Sequence, residues 1–321
     1  MNPTQAANFL MAHDDYLILT HVRPDGDTIG SAVGLCELLR AMGKTAWLLP
    51  SLDATKVFQD YLQGRQAPPD FAPGTVVSVD VASLGLLPAN AAPYQGRIDL
   101  AIDHHPSNEF FAQETCLEAD KAACGEIIWK IADHLGIMNS AIATPLYVAV
   151  ATDTGCFVYG NTTPHTHRVA AALMEQDIPY QALNKRHFRT KSLRRMKLES
   201  LILQNMKLYQ EGTVAVAPIS LAMMAQANAT DDDAEDIAAF LGQIEGVLHS
   251  ATIRELRPGE CKISLRTNPN YLNATATCAR LGGGGHVAAS GCTVRGTVDE
   301  AETAILEAIY AQLAEQARTG L

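Results

Sequence analysis

The chain lacks several things at once, and each absence excludes a class. Its seven cysteines (36, 116, 124, 156, 261, 278 and 292) include no C-x-x-C pair. That removes a zinc-ribbon or thioredoxin-type motif, and a chain of 321 residues has no need of disulfide staples. Reduced thiols of a cytoplasmic protein are the expectation. Basic charge is scarce: 24 Lys plus Arg stand against 35 Asp plus Glu, a net charge of -11. A protein that grips duplex DNA through a broad basic face does not have this balance. One long uncharged run, 135–152, contains Asn139, Ser140, Thr144 and Pro145 and ends against Asp153. It reads as a buried helix, so no membrane partner is expected. The N-terminal MNPTQAANFLMAHDDYL has no basic stretch leading into an apolar one, so no signal peptide is expected. There is no internal repeat and no low-complexity tract. With 47% apolar and 18% charged residues, disorder and coiled coil are excluded too.

What is there is an alternation of strand and helix signals. Tyr16–Val22, Ala46–Leu49, Thr75–Val81 and Ile98–Ile102 are short apolar runs, predicted as strands. Asp27–Met42, Ala122–Leu135 and Ala141–Thr152 carry helical spacing. Uniformly apolar strands between helices predict an α/β domain with a mostly parallel sheet flanked by helices. Composition then changes. The segment KRHFRTKSLRRMK holds seven of the 24 basic residues, at 185, 186, 189, 191, 194, 195 and 197. It divides the chain into a catalytic domain, 1–185, a linker helix, 186–205, and a smaller α/β domain, 206–321. A charged, solvated linker and an anion-steering segment both fit it. In the second domain, strands are predicted near 247–256, 261–266 and 291–295, helices after 231–233 and near 271–281, and a terminal helix capped by Asp299.

The polar residues fall at the ends of apolar segments. The first strand ends in His21-Val-Arg-Pro-Asp25-Gly-Asp27, the third in Asp80, and the fourth in Asp103-His104-His105. The run LYVAVAT ends in Asp153-Thr-Gly. Taken singly, each is an ordinary turn, cap or surface imidazole. Together, eight metal-competent side chains close four apolar segments, and ligands bind at the carboxyl edge of an open parallel sheet. Carboxylates with a few imidazoles and no thiolate cluster favour Mn²⁺ or Mg²⁺ over structural Zn²⁺. The donors are too many for one ion. Two ions roughly 3.5–4 Å apart, sharing one carboxylate, form a phosphoryl-transfer clamp. Four aspartates (25, 27, 80 and 153) would balance two divalent cations.

HVRPDGDTIGS, Asp80, DHH and ATDTG resemble, in order, the four signature motifs of the DHH phosphoesterase superfamily. SLRTN (264–268) followed by GGGGHVAASG (282–291) resembles its DHHA1 domain. The likeness covers almost the whole chain and is greatest to the stand-alone oligoribonuclease and pAp-phosphatase group. It implies two divalent cations, most often Mn²⁺, with Mg²⁺ or Co²⁺ able to replace it. One ion would sit on His21 and Asp25, the other on Asp27, His104 and Asp153, with Asp80 bridging. Asp103 would orient the histidines, and His105 would contact phosphate or protonate the leaving oxygen. Arg266, Gly283, Gly284, Gly285 and His286 would hold substrate in the second domain, across a cleft from the metals. The implied substrates are short single-stranded oligonucleotides, linear dinucleotides or pAp, hydrolysed at a phosphoester bond, and a homodimer is compatible with the likeness. An exopolyphosphatase or pyrophosphatase-like hydrolase, and a non-catalytic nucleotide or RNA sensor, are the alternatives. His165 and His167 are read as the start of a helix after Pro164, and Cys156 as inert packing.

Overall fold

The computed structural model describes residues 1–234 and 237–319, with side chains to 316. It comprises two compact units, Met1–Thr190 and Lys191–Leu321. In the first, α1 (Pro3–Ala12) leads to β1 (Tyr16–Leu19), α2 (Gly26–Ala41), β2 (Ala46–Leu48), a single turn α3 (Gln59–Leu62) and β3 (Thr75–Val79). Then come β4 (Leu100–Asp103), β5 (Glu114–Leu117), α4 (Cys124–Leu135), α5 (Ser140–Asp153), α6 (Pro164–Met174) and α7 (Tyr180–Asn184). The five strands pair in parallel in the order β2-β1-β3-β4-β5. That order reverses between β1 and β3, the place where such sheets bind ligands.

Strand periodicity divides the core. Tyr16, Ile18, Val77 and Val79 face the main helical core, whereas Leu17, Leu19 and Val76 face a smaller cluster. This second face is covered by Phe71, Leu84, Leu87, Tyr94 and Phe111, from loops and from 3-10 turns at Leu84–Leu86 and Ala89–Tyr94. The predicted strands are shorter than their apolar runs. β3 stops where the backbone turns to present Asp80, which adopts φ +59° directly after it.

Helix α2 lies unusually close to α5. Gly26, Gly30 and Gly34 recur at every fourth residue, and a Cβ on Gly30 would sit 2.4 Å from the Pro145 carbonyl oxygen and 2.7 Å from the Ala149 nitrogen. A Cβ on Gly26 would run into the Thr152 side chain, and one on Gly125 of α4 would come within 2.6 Å of Ala149 Cβ. Small residues on one face let three helices approach backbone to backbone, which brings the start of α2 beside the end of α5.

The second unit begins with α8 (Leu193–Asn205), followed by β6 (Lys207–Tyr209), β7 (Val214–Ile219), α9 (Leu221–Ala227), a short α10 (Ala238–Leu241), β8 (His249–Arg257) and β9 (Glu260–Thr267). It ends with α11 (Ala274–Ala279), β10 (Gly284–His286), β11 (Ala289–Arg295) and α12 (Val298–Thr319). Its mixed sheet runs β10-β11-β9-β8-β7-β6. The terminal helix starts two residues before the expected cap. Thr297 Oγ1 accepts from the Glu300 N–H, while Glu300 accepts from the Thr297 N–H at 2.7 Å. This reciprocal pair satisfies two donors that Asp299 would leave open.

The glycine stripe makes a testable contrast. At Gly30 the obstruction is backbone, whereas at Gly34 it is the mobile end of Leu146, 2.4 Å away. Gly30→Ala is expected to destabilise by about 1–3 kcal/mol through overpacking. Gly34→Ala should cost less, because Leu146 can move and alanine gains about 1 kcal/mol of helix propensity. Paired thermal or urea denaturation measures the difference, and equal losses would contradict the packing account.

Candidate active site

Each group at the carboxyl edge is aimed by a nearby backbone feature. Asp25 is the N-cap of α2, accepting from Thr28 N–H at 3.0 Å, with Thr28 Oγ1 3.1 Å from the same carboxylate oxygen. Two residues further on, in the first turn, Asp27 is buried. It accepts from the Cys124 N–H at 2.7 Å, the Gly125 N–H at 3.1 Å and Ser31 Oγ at 2.8 Å. Helix α4 has no side-chain cap of its own, so Asp27 supplies one from another helix. The positive end of α4 thereby holds a carboxylate that would otherwise be expensive to bury. Asp80 is also buried; its Oδ2 accepts from Thr28 Oγ1 at 2.6 Å. Asp153 is the last residue of α5, and Asn161 donates to its main-chain carbonyl at 3.1 Å.

The imidazoles are fixed by their other nitrogens. His104 donates from Nδ1 to the Lys121 carbonyl at 3.1 Å, so its Nε2 is the acceptor nitrogen. That Nε2 faces Asp80 Oδ1 at 3.5 Å, Asp27 Oδ2 at 3.6 Å and Asp153 Oδ2 at 3.9 Å. His21 is held in the same way by the Val22 carbonyl at 2.8 Å, with Nε2 at 3.9 Å from Asp25 Oδ2. His105 Nδ1 bonds Asp103 Oδ1 at 2.8 Å. Asp103, fully buried, also receives the backbone N–H groups of His104 and His105, and Asn108 Nδ2 at 2.6 Å. Asp103 therefore orients only the second of the two rings, while the Lys121 carbonyl orients the first.

Negative charge is concentrated here and only partly compensated. Burial, then Asp80, Asp153 and Asp25, push the Asp27 carboxyl well above its usual range, opposed by the Cys124 N–H. Burial and the Asp25 charge likewise raise Asp80. Burial raises Asp153 to about 6, with Asp80 and Asp25 adding and His104 opposing. For His105, burial works against the charged form, but the bond to Asp103 and the neighbouring carboxylates outweigh it and raise the ring to about 9. Asp103 goes the other way: burial is outweighed by its bonds from His105 and Asn108, which hold it low. One oxygen of this group has no hydrogen bond from the described residues: Asp80 Oδ1 is buried, 3.5 Å from His104 Nε2 and from His105 Nδ1. A carboxylate oxygen without a hydrogen bond, facing the lone pair of His104 Nε2, fits a cation.

Three groups of donors lie within 4.8 Å of one another: His21, Asp25 and Asp80; Asp27, His104 and Asp153; and Asp80, His104 and His105. Asp80 and His104 each belong to two groups. Side chains 132 positions apart in the chain thus meet in one cage able to hold metal ions. Sequence reasoning did not single out Thr28, Ser31, Asn108 or the Lys121 carbonyl. The first two stand inside the HVRPDGDTIGS motif; the others are visible only in three dimensions.

In the second unit, strand register aligns Arg266 of β9 with Ala289 of β11, and Ala289 with His286 of β10. Directly paired residues share a face, and two strand spacings separate Arg266 from His286 by roughly 9–10 Å. Alanine between them leaves a shallow notch. The glycines beside it are sterically required. A Cβ on Gly283 would lie 2.2 Å from the Gly291 carbonyl, and Gly285 has φ +143° with the Ala289 carbonyl 2.7 Å from its would-be Cβ. Gly284 meets no obstruction. The glycine run is thus partly an edge strand, where a loop was expected. His165 and His167 begin α6 as expected; His167 stacks on Phe157.

Removing one central charge separates cation binding from folding. Asp80→Asn is expected to leave the chelator-treated protein at least as thermally stable as wild type, because a buried repulsion is relieved. The variant should lose the rise in Tm that a divalent cation gives wild type, about 2.7 kcal/mol of stabilisation at a hundredfold excess over Kd. Thermal shift with EDTA and with MnCl₂ reads both effects.

Comparison with known proteins agrees with this geometry. Residues 15–150 match the DHH family, N-terminal domain, and residues 211–315 match the DHHA1 domain. The chain is 32% identical over 306 residues to the bifunctional oligoribonuclease and PAP phosphatase NrnA of Thermus thermophilus, covering 92% of this chain and 89% of the relative. It is 25% identical to the protein of the same name from Bacillus subtilis, covering 91% and 93%. In fold it resembles an exopolyphosphatase-related protein from Bacteroides fragilis, with a TM-score of 0.86, 23% identity and 96% of each chain covered. On its domain content and near full-length kinship, the chain belongs to the DHH family of phosphoesterases and carries a DHHA1 domain.

Proposed function

We propose that the chain is a two-metal phosphoesterase acting on short oligonucleotides, including linear dinucleotides, and on the 3′-phosphate of pAp, with Mn²⁺ as its working ion in the cytoplasm. The observation that carries this reading is the orphaned Asp80 Oδ1 amid His104, Asp27 and Asp153. The names of the relatives supply the substrate class. Seven free cysteines suit a reducing compartment.

In this reading His21 and Asp25 hold one ion, Asp27, His104 and Asp153 hold the other, and Asp80 is shared. Divalent cations there supply charge that polarises phosphoryl oxygens and eases deprotonation of water. The residues themselves do the rest. Thr28 fixes the shared carboxylate, and the α4 N-terminus holds Asp27 in place and favours its ionised form. The carbonyls of Val22 and Lys121 point the Nε2 lone pairs of His21 and His104 inward. Asp103 holds His105 at Nδ1, so its other nitrogen can contact a phosphoryl oxygen or give a proton to the leaving oxygen. Arg266, with its planar fork, and His286, together with the N–H groups of Gly283, Gly284 and Gly285, bind substrate phosphate or base. The chain's acidity is no obstacle, because a few nucleotides need local contacts and not a basic surface.

Asp80→Ala and His104→Ala should each lower kcat by at least a thousandfold with the circular dichroism spectrum unchanged. EDTA should abolish wild-type turnover and excess Mn²⁺ restore it. The assay is product release from pAp and from a labelled RNA dimer-to-pentamer series, with pyrophosphate and polyphosphate as controls. Substantial residual hydrolysis by Asp80→Ala would contradict the bridging role, and tight binding without product would favour a sensor.

A further inference from the structure

A cavity of about 100 Å³ opens beside His21 on the β2 side of the cage. Its walls come from three loops at the same sheet edge: Val22 and Arg23 after β1, Leu52 after β2, and Ala89 and Asn90 in the 3-10 turn that follows β3. These loops are tied across one another. The Val22 N–H donates to the Leu86 carbonyl at 2.8 Å, and Asn90 Nδ2 donates to the Pro50 carbonyl at 2.8 Å. The cavity is therefore preformed and needs no loop closure.

Its chemistry is mixed in a particular way. Leu52 is 84% exposed and Val22 40%, so two large aliphatic side chains of its lining stand in water. Exposed apolar groups clustered at a ligand edge mark a surface that something covers. Arg23 adopts φ +53°, a costly conformation for a residue with a side chain, directly between His21 and Asp25. Strained backbone of that kind concentrates at binding sites. Asn90 is anchored through its Nδ2 and keeps a carbonyl oxygen to offer.

Aliphatic walls with the Arg23 guanidinium, the Asp53 carboxylate, the Ser51 hydroxyl and the Asn90 amide in the lining suit a flat heterocycle: the faces pack on Leu52 and Val22, and the donors and acceptors at its edge meet hydrogen-bonding groups. We propose that this slot seats the nucleobase on the outer side of the scissile bond. The proposal rests on the phosphoesterase reading above and deepens it. A phosphodiester has a nucleoside on both sides of the reacting phosphorus. The 3′-phosphate of pAp has one on a single side, so the slot stays empty with that substrate. The slot is thus a specificity subsite for diesters and contributes nothing to the monoester reaction.

The test uses two variants at exposed positions, Ala89→Trp, which fills the slot, and Leu52→Asp, which puts a charge in its apolar wall. Wild type and both variants are assayed on pApA and on pAp in the same Mn²⁺ buffer. Each variant should lower kcat/KM for pApA at least tenfold relative to kcat/KM for pAp, with the change mainly in KM. Turnover of pAp in the same preparation reports an intact fold and cage. An unchanged ratio, whether both substrates fall together or neither falls, overturns the subsite while the phosphoesterase reading stands. Failure of wild type to hydrolyse either substrate overturns that reading and the subsite with it.

Discussion

Crowding of like charge in a water-poor pocket is the constraint on which this structure turns. Asp27 and Asp80 are almost fully excluded from solvent and stand with Asp153 around His104, with Asp25 beside His21. Mutual repulsion and lost hydration oppose their ionisation. A fold has no reason to assemble such a group for stability, since buried unpaired charge costs several kcal/mol. It can carry that cost only where positive charge arrives from outside, or where the α4 N-terminus offsets part of it. The polar partners divide accordingly. Asp27 and Asp103 each accept from at least two N–H donors, while Asp80 Oδ1 accepts no hydrogen bond from the described residues.

The scaffold serves this arrangement through close helix packing. Glycines on α2 and α4, set against the Pro145–Thr152 face of α5, allow near contact of main chains. That contact carries Asp25 and Asp27 to the side of Asp153. The parallel sheet delivers the remaining donors, because β1, β3 and β4 all end at one edge. Function and packing are therefore coupled. A methyl group added at the helix interface acts on the cage as well as on the core.

Much of this was legible in the chain. Apolar runs ending in carboxylate or imidazole identified the edge, and the order of the motifs identified the family. The convergence of Asp153 was less readable, because α5 is uniformly apolar and its direction depends on the glycine stripe. That stripe was itself present in the sequence as Gly26, Gly30 and Gly34 but is easily taken for mere helix-weakening residues. The role of Asp27 as a cap for α4 could not be read, since it joins residues 97 positions apart. Nor could the division of labour between Asp103 and the Lys121 carbonyl. Strands β5 and β10 escaped for opposite reasons: Glu114–Leu117 is polar at its start, and Gly284–His286 has almost no side chains to show a pattern. The cap of α12 moved from Asp299 to Thr297 because a reciprocal pair with Glu300 satisfies more donors than a lone carboxylate.

The most direct measurement is anomalous diffraction from a crystal of the protein grown with manganese. The account requires two peaks roughly 3.5–4 Å apart, with an oxygen of Asp80 in the coordination sphere of both. A single peak, or two peaks with Asp80 bound to neither, would contradict it.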